Sequence, residues 1–330
     1  RLPYSTIIKP IDPSSIKVPD ENHGEDIKVP NEINLGDGWD IFTKSCTFLF
    51  KKPIFIIPML WSWLVLVTGI VCFRYFLPFP DSFFLGLLYI YLLILFMSLT
   101  ICFANLMMLE FMQQIEAGKK ISFIKGFKEA AGIDLIRVFP VALVWSILWF
   151  IIVVLRLVTS RKKSKNKSEP SAKDIANIIA DPEWGPFSWL GLGLDMVEKL
   201  LRMVVFLALP AIAWENQGPL SASGKAFDII TKHTVQFLTN YSLTLAASAV
   251  MAIPLAIIFV LAKQGVEFSE AFWTGVILYE GVVWTLGIYL EQMSTAILYL
   301  WHLKWVKNGA SGKLSSISKP DLFDDIYELK

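Results

Sequence analysis

Six apolar runs, each close to the roughly 20 residues that an α-helix needs to cross a bilayer, constrain this chain more than anything else in it. They cover residues 54–76, 82–112 and about 138–158, then stretches within 189–215, 244–261 and 272–301. A lipid bilayer satisfies runs of that length, because a helix hydrogen-bonds its own backbone while its side chains face hydrocarbon. Composition agrees: 55% of the residues are apolar, 18% are charged and mean hydropathy is +0.54, outside the range of an ordinary soluble domain. The expected fold is therefore an all-α integral membrane helical bundle of about six transmembrane helices. The second run is long enough that it must tilt or protrude. The link Leu-Pro-Phe-Pro-Asp at 77–81 is a turn sequence that folds the first two runs into a hairpin.

A short segment recurs ahead of these runs. WDIFTK at 39–44 returns as FDIITK at 227–232. Around it, Trp39, Ile41, Phe42, Cys46, Phe48 and Leu49 approximate one helical face, as do Phe227, Ile229, Ile230, Val235, Phe237 and Leu238. A weaker third copy is SFIKGFKEAAGIDLIRVFP at 122–140. Each copy is a lysine-bearing amphipathic segment of the kind that lies at the headgroups, and each leads into an apolar run. The spans thus read as three hairpins, each preceded by an interfacial amphipathic helix, an internal symmetry common in membrane folds. The domain reading is an extended Pro-rich polar tail over 1–36, a membrane domain over 37–305 with units at about 37–120, 121–218 and 219–305, and a polar C-terminal tail over 306–330.

The tails and loops carry the remaining signals. Prolines punctuate residues 1–36, where IKVP occurs twice, so an extended strap is expected there rather than a helix. The first apolar run starts too far in for a signal peptide, and none is expected. Net charge is +1, which gives no field for nucleic acid. Cys46, Cys72 and Cys102 lack metal-site spacing. Lysines such as Lys119, Lys120, Lys125, Lys128, Lys225, Lys232, Lys304 and Lys307 fall on one side if both termini are cytoplasmic, the side that lysine and arginine favour. The exception is the basic loop at 160–173, which six spans place outside. Its Arg161, Lys162, Lys163, Lys165 and Lys167 are candidates for contact with anionic lipid or an acidic partner.

Two segments carry a resemblance. GWDIFTKSCTFLFKKPIFIIPML at 38–60 resembles the opening of an uncharacterised prokaryotic multi-pass membrane family. FLALPAIAWENQGPLSASGKAFDIITKH at 206–233, through Leu209, Pro210, Glu215, Gly218, Pro219, Ala222 and Ala226, is similar to the membrane domain of some glycerophosphodiester phosphodiesterases. The resemblance implies a compact multi-pass domain in a prokaryotic cytoplasmic (inner) membrane. It implies no activity, since no phosphodiesterase catalytic domain accompanies it. The proline-rich tail and the basic loop depart from the family pattern.

Charges inside apolar runs are the candidate site. Asp195, Glu198, Lys199 and Arg202 share one helix face, so Asp195 can pair with Lys199 and Glu198 with Arg202. Intramembrane charge tends to face a cavity or the bundle interior. Alternatively, this is a surface helix ahead of a short span. Glu280 and Glu291 lie 11 residues apart, almost three turns and about 16 Å, and Glu280 is expected to pair with Lys199 or Arg202. Glu110 and Glu215 sit at matching ends of the units and read as caps or contacts to the next amphipathic helix. Trp61, Trp63, Trp189, Trp301 and Trp305 read as an aromatic belt.

Signals for catalysis are absent from this reading. His23, His233 and His302 are scattered, and no HExxH, Walker A, GxGxxG or GxSxG pattern occurs. No catalytic residue, metal site or cofactor is expected. The functional expectation is a non-enzymatic multi-pass subunit or scaffold that binds membrane lipids and, through its N- and C-terminal tails, other membrane-complex subunits, with no nucleic-acid partner. The alternatives are a transporter or channel using the charged cluster, and a membrane partner of a lipid-processing enzyme.

Overall fold

The computed structural model describes residues 35–76, 80, 82–116, 120–163, 189–307 and 309. Most of the proline-rich tail, the 164–188 part of the loop that carries Lys165 and Lys167, and most of the C-terminal tail lie outside these residues.

Among the described residues all regular structure is helical. Helix α1 is Leu35–Lys51 and a 3-10 turn at Pro53–Ile56 leads into α2, Ile57–Phe76. Then come α3 (Phe83–Glu116), α4 (Phe123–Glu129), α5 (Leu135–Lys163) and α6 (Trp189–Glu215). The order ends with α7 (Pro219–Lys232), α8 (Thr234–Lys263) and α9 (Glu270–Lys307). Five segments are long and apolar enough to cross a membrane: Pro53–Phe73, Phe83–Ile115, Phe123–Leu155, Thr234–Lys263 and Glu270–Lys307. The sixth expected run, α6, has 27 residues, but the charges in its first half leave an uninterrupted apolar stretch too short for a bilayer.

Local chemistry sets the boundaries. Asn216 at φ 56° ends α6, and the Gln217 N–H donates back to the Ala211 carbonyl at 3.1 Å, closing the helix end with a left-handed residue. Gly218 then caps α7, whose first residue is Pro219, a position where proline's missing N–H is no loss. Between α4 and α5 a π turn runs over Ala130–Asp134, with Gly132 out of helical geometry at ψ −137°. That break turns a lysine-bearing surface helix into a long apolar one.

The core lies at one end of the bundle. Residues 101–112 of α3, 206–214 of α6 and 288–299 of α9 are buried at every position. The Trp214 indole N–H donates to the Leu109 carbonyl at 3.3 Å and the Gln292 amide to the Phe206 carbonyl at 3.4 Å. Helices α1, α4 and α7 pack around these ends. Tyr289 donates to the Ser45 carbonyl at 3.3 Å, Gly38 lies against Thr239, and Gly126 against Phe111. This explains why α3 and α9, at 34 and 38 residues, exceed the roughly 20 that a bilayer requires. Their C-terminal halves are apolar because protein covers them. The other end turns outward: Leu64, Phe84, Ile151, Ile257 and Ile277 are exposed, and no residue of the most apolar stretch of α8 is buried.

The recurring segments occupy matching environments. Gly38, Gly126 and Ala226 are buried, and the aromatic after each (Trp39, Phe127, Phe227) is exposed. From Trp39 to Ser45 and from Phe227 to His233 the burial pattern agrees at each position except Lys44 and Lys232.

Candidate functional site: a buried ion cluster between α6 and α9

Helices α6 and α9 run in the same direction, since Lys199 meets Glu291 and, further along both, Trp214 meets Tyr299. That pairing sets a neutral ion cluster in their contact. Glu291, 1% exposed, accepts from Lys199 Nζ at 2.5 Å on Oε1 and from Arg202 Nε at 2.6 Å on Oε2. Arg202 Nη2 also donates to Oε1 at 3.0 Å, and its Nη1 donates to Glu198 at 3.2 Å. The guanidinium thus grips the carboxylate with two nitrogens, the geometry that gives arginine its specificity. Two acids and two bases sum to zero, and each has a partner in the group. Tyr241 of α8 closes one side by donating to the Met196 carbonyl at 2.9 Å.

The expected Glu198–Arg202 pair is present. The expected pairing of Glu280 is not: both cations close on Glu291, and Glu280 is exposed. The two glutamates share a helix face, as their spacing requires, but they do not share a depth. Near Glu280 the α9 surface is buried only at Val276 and Gly281, the latter under Trp63, whereas around Glu291 every position is covered. The side chain of Asp195 lies outside the described ones. Arg161, Lys162 and Lys163 end α5, and their side chains, with Lys165 and Lys167, also lie outside.

A second polar group ties α7 to the ends of α6 and α9. Glu215 accepts from Lys225 at 2.5 and 2.6 Å, from the Tyr299 hydroxyl at 2.5 Å and from Gln217 at 2.8 Å. Lys225 also lies 5.2 Å from the centre of the Tyr299 ring, a cation–π contact. Glu215 therefore fastens the next amphipathic helix. One turn on, His233 Nε2 lies 3.0 Å from His302 Nδ1, with Trp305 packed against both rings. Burial pushes His233 down to about 4, helped by His302 and Lys232 and opposed by Asp228. No sequence motif joins these histidines; the one signal in the sequence is that His233 occupies the place that buried Ser45 holds in the first copy.

These arrangements fix helices rather than expose reactive groups. The segment 206–233 shows the same thing: Leu209, Ala222 and Ala226 are buried, and the residues between them make a helix end, a turn and a helix start. Among the described residues no group of three or more His, Cys, Asp or Glu side chains could hold a metal ion. No family model, curated protein or solved structure matches the chain.

Proposed function

We propose that this chain is a non-enzymatic multi-pass membrane protein serving as a subunit or scaffold. In this reading it crosses a prokaryotic cytoplasmic membrane six times as three hairpins, each led by an interfacial helix, with both termini cytoplasmic. One observation carries the functional reading: Glu198, Lys199, Arg202 and Glu291 satisfy one another. A saturated, neutral cluster of this kind sets the register of two helices. Carrying an ion or proton would require the cluster to release a partner at each cycle.

Lipids are the second partner class. The surface helices carry exposed Trp39, Phe50, Ile124, Leu220 and Phe227 close in sequence to lysines, which suits insertion at an anionic headgroup layer. The resemblance of residues 206–233 to membrane domains that accompany phosphodiesterases makes a lipid-processing enzyme the first protein partner to look for. The test is gentle extraction from the membrane, followed by mass spectrometry and, in parallel, flux assays in liposomes. A protein recovered in fixed ratio, with no ion or proton flux, supports the subunit reading. Flux that Glu291→Gln abolishes in a folded protein overturns it in favour of transport.

A further inference from the structure

With Lys199 and Arg202 engaged by Glu291, the carboxylate of Glu280 remains exposed in an apolar stretch of α9. Its depth follows from its neighbours. Gly281 packs under Trp63 of α2, and α2 has 20 residues, the length that crosses a bilayer with nothing to spare. Trp63 is six residues into α2, or about 9 Å from its start, and Glu280 is ten residues into α9, or about 15 Å from the opposite end. With α2 and α9 as membrane spans, as in the reading above, Glu280 lies well inside the hydrocarbon layer. Around it Ile277, Leu278 and Val282 are exposed, as is Gly275, where an added side chain would meet nothing.

We propose that this face of α9 docks a membrane-spanning helix of another subunit, and that a lysine or arginine of that helix pairs with Glu280. The inference rests on the subunit reading above and names its chemistry. An ionised side chain in hydrocarbon pairs with an opposite charge or faces a polar cavity. The described cations of α6 are engaged by Glu291, and the exposed side chains beside Glu280 are apolar but for Tyr279, whose hydroxyl donates to the Met251 carbonyl. Charge complementarity therefore specifies a basic residue, and the apolar surroundings specify a helix that spans the bilayer.

The test places a photo-crosslinking amino acid at Ile277 in the full chain, in its own membrane, with Ile151 of α5 as the control position. The expected result is one adduct from position 277 and none from 151. Its peptide should come from a transmembrane helix containing a basic residue. Glu280→Gln should reduce the adduct at least tenfold, and exchanging the charges (Glu280→Lys with the partner's basic residue changed to Glu) should restore it. Since Glu280 is exposed, the variant should elute and melt like the parent, which separates loss of docking from loss of folding. An adduct unchanged by Glu280→Gln, an adduct to a second copy of this chain, or a helix without a basic residue overturns the proposal. If a stoichiometric partner still co-purifies while position 277 stays unlinked, this inference fails and the subunit reading stands. If no partner co-purifies from the parent, the subunit reading itself fails.

Discussion

Glu291 occupies a position where one atom's change of charge strands two others. Its carboxylate is held by Lys199 and Arg202 in the covered part of α9. Breaking one partner of a buried ion pair leaves uncompensated charge and typically removes about 3–5 kcal/mol, whereas replacing the whole group by apolar residues is often neutral. Glu291→Gln should therefore lower the thermal midpoint strongly. A combined Glu198→Gln, Lys199→Met, Arg202→Leu, Glu291→Leu protein should recover most of it. Glu198→Gln alone should cost about 1 kcal/mol or less, since it makes a single contact with Arg202 at the edge of the group. Thermal unfolding in lipid nanodiscs separates the three, and equal losses for Glu291→Gln and Glu198→Gln would contradict the assignment of Glu291 as the hub. His233 makes a pH prediction. Its pKa falls to about 4 in the fold, with His302, Lys232 and Asp228 facing it, against about 6.5 in an unfolded chain. Between those values the unfolded chain holds a proton that the folded chain refuses. The stabilisation is thus full above pH 6.5 and drains away as pH falls toward 4, by about 3 kcal/mol at most. The midpoint should drop between pH 7 and pH 5, and His233→Gln should flatten that slope. A slope unchanged in the variant would assign the pH dependence elsewhere.

At the scale of elements, small residues decide how closely the surface helices approach. A side-chain carbon added at Gly38 would lie 2.5 Å from Thr239, and at Gly126 it would lie 2.6 Å from Phe111. Gly38→Ala should therefore destabilise by about 1–3 kcal/mol through overpacking. Gly224→Ala is the internal control, because nothing lies within 4 Å of the added carbon and alanine stabilises a helix by up to about 1 kcal/mol over glycine. Opposite signs for the two are expected in chemical or thermal unfolding, and a stabilising Gly38→Ala would mean that α1 sits further from α8 than described. These elements also show what sequence could and could not give. The apolar runs predict the long helices well, and the 3.6-residue pattern of 39–49 predicts α1; that of 227–238 predicts α7 but runs past its end at Lys232, across the break at His233 and into α8. The runs do not distinguish apolar residues facing lipid from apolar residues facing protein, so nothing in them marks 101–112, 206–214 and 288–299 as the stretches that other helices cover at every position. Helical spacing likewise put Glu280 and Glu291 on one face, but spacing along one helix carries no information about which level a neighbouring helix covers. The pairing of His233 with His302, 69 residues apart, depends on how α7 docks, which no local pattern encodes.

The whole molecule turns on whether α6 crosses the membrane. Hydropathy alone leaves it out, because its first half carries charge. The proposed six-span reading has it cross, which suits its packing: α6 runs parallel to α9, and its end is bonded to α3 and α7 through Trp214 and Glu215, so its course is tied to that of the neighbouring long helices. On that reading Lys199 and Arg202 meet Glu291 instead of lipid, which makes their charge tolerable in a crossing helix. The two topologies differ in a measurable parity. From Ser82, after α2, to Val266, between α8 and α9, the chain passes α3, α5, α6 and α8. With α6 as a crossing that is an even number, and Ser82 and Val266 lie on the same side; without it they lie on opposite sides. Both positions are exposed, as is Leu220 at the start of α7. In a protein whose native cysteines are replaced, single cysteines at Ser82, Leu220 and Val266 can be labelled with an impermeant maleimide in sealed vesicles. The expected outcome is that Ser82→Cys and Val266→Cys label together while Leu220→Cys is protected, or the reverse in inverted vesicles. If Leu220→Cys labels with Ser82→Cys and apart from Val266→Cys, α6 does not cross, the three-hairpin arrangement fails, and the ion cluster becomes a feature of a helix that enters and leaves by one face.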